Sequence, residues 1–322
     1  MLDAPHRIVT GTHSIPRLPM TAVVRRVVVL VWFATGVFAC HSNSPGSPSP
    51  PPPVPPTPIP GSAVLVGAGD IGDCTKTAVT ETAKLIDSIT GVVFTLGDNV
   101  YDSGTMAAYT GCYGPNWGRQ LSRTRPSVGN HDYSGSSLAA YMTYFASTGA
   151  AGPDGQGYYS YEAGSWHVLV LNSEIPIGPG SSQLLWAQSD LAASKAQCTL
   201  AYWHEPLFSS AQNGPNAFVK DLWRVLYQAG ADVVLNGHDH VYERFDTQDP
   251  DGKLDRARGI RQFTAGTGGA TLYAFGSLHA NSQIHSATHG VLKLTLEGNF
   301  YIWEFIPIAG QSFSDSGSGT CH

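Results

Sequence analysis

Short apolar segments, each followed at once by polar residues, recur along the chain from residue 63 onward. Five of them end beside glycine, histidine or acidic residues, and they cover residues 63–66, 92–96, 126–128, 199–203 and 233–235. Uninterrupted apolar runs of this kind are typical of buried strands that are covered on both faces. The pattern therefore predicts a sheet-based core with a polar cluster at the carboxyl end of each of these strands.

Segments with apolar residues at helical spacing lie between the strands, at residues 77–89, 181–194 and 216–228. Two alternating stretches, residues 158–172 and 291–307, are predicted hairpins that turn at Gly164 and Gly298. Strands that alternate with helices imply an α/β layered domain with the helices on the outside. In such sheets, ligands bind at the carboxyl ends of the strands, which is where the polar clusters fall.

The amino-terminal 40 residues have the pattern of an export signal rather than of a folded element. Arg25 and Arg26 precede an apolar run of thirteen residues, 27–39. A basic segment before a run of this length is typical of a secretory signal, and the run is too short to span a bilayer comfortably. Met20 could start such a signal by itself, which leaves open whether residues 1–19 belong to the protein.

Residues 37–40 resemble a bacterial lipobox, in which the final cysteine is lipidated, although Phe38 is bulkier than usual. We therefore expect an exported cell-envelope lipoprotein that is attached to the membrane only through lipid on Cys40. A cleaved signal that yields a secreted protein, or an uncleaved anchor, are the alternatives. Residues 41–62 contain ten of the 22 prolines and predict an extended, disordered linker, which leaves residues 63–322 for the folded domain.

Composition and charge limit the classes of function. Apolar residues make up 42% of the chain and charged residues 13%, so a sizeable core is expected. The net charge is −6, and residues 41–322 alone carry −9, because four arginines lie in the first 40 residues. A domain this acidic is a poor candidate for binding a nucleic-acid backbone.

Each polar cluster taken alone is typical of a turn or a helix cap. Together, the five clusters supply carboxylate, amide, imidazole and phenol groups at neighbouring strand ends, which favours a metal site. They are Gly69-Asp70-Ile71-Gly72, Gly97-Asp98-Asn99-Val100-Tyr101, Gly129-Asn130-His131-Asp132, Trp203-His204 and Gly237-His238-Asp239-His240. In this order they resemble the five motif blocks of the calcineurin-like metallophosphoesterase superfamily, and within it the purple acid phosphatases.

The resemblance covers roughly residues 63–307 and implies a four-layer α/β/β/α sandwich in which residues 63–322 form the catalytic domain. Tyr101 narrows the resemblance to the purple acid phosphatases, because most members of the superfamily have an Asp-x-His first block and no tyrosine ligand. Here Gly72 stands where that histidine would be, and a tyrosine lies three residues after Asp98. Too few residues separate Ser62 from Asp70 for the extra domain of plant-type enzymes, which favours a single-domain bacterial form.

Transferred onto this sequence, the resemblance implies a dinuclear site with Fe(III) and a divalent ion, either Fe, Zn or Mn. The implied iron ligands are Asp70, Tyr101 and His240. Those of the divalent ion are Asn130, His204 and His238. Asp98 would bridge the two metals, and hard anionic ligands at the trivalent ion agree with general coordination preferences.

The implied reaction is hydrolysis of a small phosphomonoester by metal-activated hydroxide. His131 would bind the phosphoryl group and assist the leaving oxygen, and Asp132 would orient His131, unless it only caps the loop. Glu205 follows His204, and Asn213 stands where animal-type enzymes have a histidine, so the second proton donor is not identified. The late histidines that could supply it, or that lie on the surface, are His279, His285 and His289.

Two alternatives to a phosphomonoesterase stay open at this point. A phosphodiesterase or nucleotidase could use the same metal core, since loops select the substrate. A non-catalytic surface-binding lipoprotein could keep the fold, although it would not need a complete set of metal ligands.

Four cysteines remain if Cys40 carries lipid, and they allow three disulfide connectivities. Cys74 and Cys112 lie in loops that follow Asp70 and Asp98. Cys198 precedes the strand that ends at His204, about 20 Å away at the opposite edge of the sheet. We therefore predict the disulfides Cys74–Cys112 and Cys198–Cys321.

Overall fold

The computed structural model describes residues 61–322. The predicted signal, residues 1–40, and all but the last two residues of the predicted linker lie outside this range, as does Cys40. None of the helices in residues 61–322 is long and apolar enough to cross a membrane.

Two mixed β-sheets form the centre of the fold. The strands of residues 61–322 are β1 (Ala63–Ala68), β2 (Val92–Leu96), β3 (Thr124–Ser127), β4 (Tyr159–Ala163), β5 (Trp166–Val170), β6 (Cys198–Tyr202), β7 (Val233–Asn236), β8 (Tyr242–Phe245), β9 (Arg261–Ala265), β10 (Ser282–Ser286), β11 (Gly290–Leu296), β12 (Phe300–Pro307) and β13 (Asp315–Thr320). The first sheet has the order β13-β12-β11-β1-β2-β3, and the second has the order β10-β8-β9-β7-β6-β5-β4. The five predicted strands correspond to β1, β2, β3, β6 and β7.

Short helices connect and cover the strands. They are α1 (Ala78–Ser88), α2 (Met106–Ala108), α3 (Ala139–Tyr144), α4 (Ser182–Ala193) and α5 (Lys220–Ala229). The three predicted helices are confirmed as α1, α4 and α5, the last preceded by a 3-10 turn at Ala217–Val219. The two predicted hairpins are confirmed as β4–β5 and β11–β12.

Alternate residues of β6 show how the layers stack. Leu200 and Tyr202 face the core between the two sheets, where Tyr202 lies 5.9 Å from Phe94 of β2, measured between ring centroids. Ala201 points the other way, as does Trp203 directly after the strand, and both pack with apolar side chains of α4 and α5. On the first sheet, α1 contacts β11 and buries Val79, Ala83 and Ile86. The predicted order of helix, sheet, sheet and helix is confirmed.

Both predicted disulfides are present. Cys74 pairs with Cys112 at a Cα–Cα distance of 5.7 Å, and Cys198 pairs with Cys321 at 5.5 Å. Cys198 is the first residue of β6, so its bridge lies at the amino end of that strand. In the chain-entropy model, a bridge across 123 residues stabilises the fold by about 4–5 kcal/mol.

A polar network joins the two sheets near their last strands. Asp315, at the start of β13, accepts hydrogen bonds from Tyr242 Oη at 2.7 Å, Arg244 Nε at 2.7 Å and Trp303 Nε1 at 3.0 Å. Arg244 also lies over the Trp303 ring, 4.8 Å from its centroid. Since Tyr242 and Arg244 belong to the second sheet and Asp315 to the first, one carboxylate fixes the position of β8 against β12 and β13.

We predict that Asp315→Ala lowers the free energy of unfolding by about 3–5 kcal/mol, because Arg244 and Trp303 would keep donors without an acceptor in a largely buried setting. Lys293→Ala is the matched control, since it breaks an exposed cross-strand pair with Glu304. That change should cost less than about 1 kcal/mol. Urea denaturation of the oxidised protein measures both, and equal losses would contradict the assigned role of Asp315.

Candidate metal centre

The predicted ligands follow the carboxyl ends of strands from both sheets. Asp70, Asp98 and Asn130 come two or three residues after β1, β2 and β3, which are neighbours in the first sheet. His204 and His238 come two residues after β6 and β7, which are neighbours in the second. Parallel pairing within each group brings these ends to one edge. The site therefore lies where the two sheets meet.

The backbone is strained at three of these residues. Asp70, Asp98 and His238 have φ values of 58°, 49° and 68°, and they are the non-glycine residues of the described chain with positive φ. Each such conformation costs about 1–2 kcal/mol for a residue with a side chain. Backbone strain of this kind occurs at functional sites, where the surrounding structure maintains it.

Two glycines let the strand ends approach one another. A Cβ atom at Gly97, whose φ is 79°, would lie 2.6 Å from His204 Nδ1. A Cβ atom at Gly237 would lie 2.7 Å from Asp70 Oδ2. Any larger residue at either position would push a predicted ligand out of place.

Three other predicted ligands converge around the phenol oxygen of Tyr101. This atom lies 3.0 Å from Asp70 Oδ1, 3.0 Å from Asp98 Oδ2 and 3.1 Å from His240 Nε2. His240 Nε2 is also 3.2 Å from Asp70 Oδ1. We call Asp70, Asp98, Tyr101 and His240 the first donor set.

Three other predicted ligands also converge around His204. Its Nε2 atom lies 3.1 Å from Asn130 Oδ1, 3.2 Å from His238 Nδ1 and 3.3 Å from Asp98 Oδ2. We call Asp98, Asn130, His204 and His238 the second donor set. The structure thus brings all seven predicted ligands together, in two sets that share the Oδ2 atom of Asp98.

Backbone carbonyls orient two of the imidazole rings. His204 Nδ1 lies 2.7 Å from Leu96 O, and His240 Nδ1 lies 2.7 Å from Thr271 O. Because a carbonyl can only accept, each Nδ1 carries a proton, and each Nε2 is the nitrogen that faces the donor sets and can bind a cation once the ring is neutral. His238 presents Nδ1 instead, and its backbone N–H donates to Asp70 Oδ2 at 2.9 Å.

The charges of the site favour a bound cation. Asp70 and Asp98 are buried, and within residues 61–322 neither forms an ion pair with Lys or Arg. Burial raises the pKa of Asp98, but the charge of His204 outweighs it and holds that pKa at about 2. Burial and these two carboxylates raise the pKa of the Tyr101 phenol well above its ordinary value. A cation among these groups would be stabilised by both carboxylates and would lower the pKa of the phenol.

The facing imidazole rings of His204 and His238 also favour a bound cation. Burial and the charge of His204 lower the pKa of His238 to about 4. Two ring nitrogens 3.2 Å apart cannot both carry protons, so at least one lone pair is directed at the other ring. A cation can use both lone pairs at once, and the residues present therefore fit a metal.

His131 lies beside the donor sets without belonging to them. Its backbone N–H donates to Asp98 Oδ1 at 2.8 Å, and its side chain is 38% exposed. The ring packs 4.5 Å from the Tyr101 ring, and Nδ1 lies 2.8 Å from Asp102 O. Its Nε2 atom is 4.0 Å from Asp98 Oδ2. This position on the open side of the site is compatible with contact to a substrate.

The prediction that Asp132 orients His131 is wrong. Asp132 is fully buried, and Oδ1 accepts from Asn99 N at 3.0 Å and Tyr109 Oη at 2.6 Å. Its Oδ2 accepts from Asn99 Nδ2 at 2.9 Å and Gly129 N at 2.8 Å. Both oxygens are occupied by groups that hold loops, and Asp102 O holds the His131 ring instead. The alternative interpretation, a loop cap, is confirmed.

The late histidines do not reach the donor sets. His279 packs against Phe208 and Phe245, and His285 packs against Phe275. His289 Nδ1 lies 3.2 Å from Thr267 O. Within residues 61–322, none of the three forms a hydrogen bond with a residue of either donor set, so the second proton donor is not identified.

Three residues near the site were missed by sequence reasoning as site residues. Burial raises the pKa of Glu174 and of Glu205, the latter to about 7, and the charges of His204 and Asp98 act on both carboxylates. The ring of Tyr273 stacks on His240 with a centroid distance of 4.0 Å. The sequence could have identified Glu205 as a site residue, since it directly follows the predicted ligand His204. Glu174 and Tyr273 lie in loops with no motif around them.

Comparisons with known proteins agree with this geometry. A family model described as calcineurin-like phosphoesterase matches residues 64–242, which is more than half of the chain. Purple acid phosphatase 15 of Arabidopsis thaliana is 29% identical over 220 residues, which cover 58% of this chain and 41% of that protein. Purple acid phosphatase 13 of the same plant is 31% identical over 176 residues, covering 50% and 31%. The chain thus spans less than half the length of these relatives.

Solved structures show the same fold at low sequence identity. A purple acid phosphatase from yellow lupin (Lupinus luteus) seeds superimposes with a TM-score of 0.68 and 19% identity, covering 82% of this chain and 55% of that one. GAP50, described as the anchor in the inner membrane complex of Plasmodium, gives a TM-score of 0.64 and 14% identity, with 81% and 89% covered.

We predict that Asp132→Ala lowers the free energy of unfolding by about 3–5 kcal/mol, because four buried donors would lose their acceptor. His131→Ala, one residue away and partly exposed, should cost less than about 1 kcal/mol. Chemical denaturation at pH 8 tests the pair. If Asp132→Ala kept its stability and impaired turnover as His131→Ala does, Asp132 would be an orienting residue after all.

Proposed function

Because this chain belongs to the calcineurin-like phosphoesterase family, we propose that it hydrolyses phosphate monoesters in the manner of a purple acid phosphatase. The observation that carries the proposal is the pair of donor sets that share Asp98, with a tyrosine phenol in the first set. A binding protein would have no need for two complete sets that meet at one carboxylate.

The two sets differ in chemistry, which suggests two different metals. The first donor set offers two carboxylates, a phenol and one imidazole, and hard anionic groups of this kind suit Fe(III). The second offers two imidazoles, a neutral amide and the shared carboxylate, which suit divalent Fe, Zn or Mn. When bound, such a pair of ions supplies an activated water and neutralises negative charge on the phosphoryl group.

The chain itself contributes a proton-exchanging group beside the metal ligands. The Nδ1 atom of His131 is committed to Asp102 O, so the ring exchanges protons with a substrate at Nε2. Packing against Tyr101 fixes the plane of the ring. His131 would therefore contact the phosphoryl group and transfer a proton to the leaving oxygen from Nε2.

We also propose that the protein acts outside the cytoplasm. Two disulfides support this, because such bonds persist in oxidising compartments. The signal-like residues 1–40 and the lipobox-like Cys40 favour a lipoprotein of the cell envelope, with a secreted protein as the alternative. The partner is then a small phosphorylated molecule at the cell surface.

A substrate panel tests the proposed reaction. The full-length protein loaded with iron and zinc should hydrolyse p-nitrophenyl phosphate with at least a tenfold higher kcat/KM than bis(p-nitrophenyl) phosphate. Removal of the metals should abolish both activities. A preference for the diester would favour a phosphodiesterase, and inactivity with two metals bound would favour a binding protein.

Variants separate the group that exchanges protons from the groups that hold metal. We predict that His131→Ala lowers kcat by about 100-fold or more and leaves two metals bound per chain, because its side chain lies outside both donor sets. Asn130→Ala or His238→Ala should remove one metal per chain. Elemental analysis beside steady-state kinetics measures both effects. Loss of a metal from His131→Ala would make His131 a ligand and would contradict its assigned role.

The colour of the protein tests the iron assignment. Coordination of the Tyr101 phenol to Fe(III) should give a charge-transfer band in the visible range, and thus a violet to pink oxidised protein. Tyr101→Phe should remove the band while far-ultraviolet circular dichroism stays unchanged. Iron-loaded protein without such a band would favour two divalent ions instead.

A further inference from the structure

A groove of about 370 Å³ opens directly beside Tyr101. Tyr101, Asp102 and the disulfide between Cys74 and Cys112 are among the groups that line it. Its volume falls within the range of about 300–1,000 Å³ that is usual for small-molecule sites. The groove is thus bordered by one predicted metal ligand, Tyr101, and by the residue that follows it in the chain.

We propose that this groove binds the leaving group of the substrate, and that this group is a compact uncharged or cationic alcohol or phenol. The inference rests on the proposed function, since it needs a phosphoryl group at the donor sets. The Tyr101 ring and Asp102 O both contact His131, at 4.5 Å and 2.8 Å. Because the Tyr101 ring packs on His131 and also lines the groove, a leaving group beside His131 can extend along this ring into the groove.

The charge of the groove selects against anionic leaving groups. Among residues 61–322, no Lys or Arg lines it, and Asp102 contributes an exposed carboxylate. The second carboxylate, Asp73, is occupied by Thr75, whose N–H and hydroxyl donate to Oδ1 at 3.0 Å and 2.5 Å. A leaving group with a further phosphate or carboxylate would meet a like charge and no partner. An alkyl, aryl or ammonium group would meet Ala107, Ala108 or Asp102 instead.

A substitution at Gly111 tests the role of the groove without changing any predicted metal ligand. It lines the groove in a helical turn, its backbone is outside the left-handed region, and a Cβ atom there would meet no atom within 4 Å. Gly111→Leu therefore adds a bulky side chain at the groove without backbone strain. Gly298 also has free space around its Cβ position and lies in the β11–β12 turn, so Gly298→Leu is the matched control.

Binding of two phosphonates to the metal-loaded full-length protein measures the size of the subsite. Phenylphosphonate carries a leaving-group mimic that reaches the groove, and methylphosphonate does not. Gly111→Leu should weaken phenylphosphonate at least tenfold by calorimetry and change methylphosphonate less than twofold, and Gly298→Leu should change neither. Ala107→Leu, at an exposed position of the same groove, should repeat the effect. Equal weakening of both ligands, or no weakening of phenylphosphonate, would overturn the proposal.

A second pair of ligands measures the charge selectivity. Wild-type protein should bind 3-aminopropylphosphonate more tightly than 2-carboxyethylphosphonate, and Asp102→Asn should reduce that ratio at least threefold. An unchanged ratio would overturn the proposed preference for uncharged or cationic groups. These assays report binding without turnover, so they test the groove separately. Failure of wild-type protein to hydrolyse any monoester would reject the proposed function itself.

Discussion

The Oδ2 atom of Asp98 is the point on which the site depends, because it belongs to both donor sets. It lies 3.0 Å from the Tyr101 phenol and 3.3 Å from His204 Nε2, so one atom connects ligands supplied by two different sheets. Its partner oxygen, Oδ1, accepts the N–H of His131 and fixes the loop that carries Asn130. Any displacement of Asp98 would therefore alter both sets and the position of His131 together.

The sheets supply the rigidity that holds this carboxylate in a strained backbone conformation. Strand β2, which ends just before Asp98, pairs with β1 and β3 and packs through Phe94 against Tyr202 of the second sheet. Buried apolar contacts of this kind easily exceed the cost of about 1–2 kcal/mol for one left-handed residue. The strain at Asp70, Asp98 and His238 is thus maintained by packing between the sheets.

Much of this arrangement could be predicted, because apolar runs identify buried strands and ligand-capable residues follow their ends. The disulfide pairing could also be predicted, because the length of one strand places Cys198 far from Cys74 and Cys112. Sequence reasoning failed where the direction of a side chain matters. Asp132 is adjacent to His131 in the chain, yet its side chain points to Asn99 and Tyr109, and no spacing rule reports that. Tyr273 reaches His240 from a loop without regular structure, so its contribution depends on tertiary packing alone.

The two disulfides also enclose five of the seven predicted ligands in covalently closed rings. The bridge Cys74–Cys112 encloses Asp98 and Tyr101, and the bridge Cys198–Cys321 encloses His204, His238 and His240. A protease that cuts one peptide bond inside either ring leaves a nicked molecule whose pieces stay joined. The coordinating side chains would then remain on a single covalent assembly, which would suit the proposed location outside the cytoplasm.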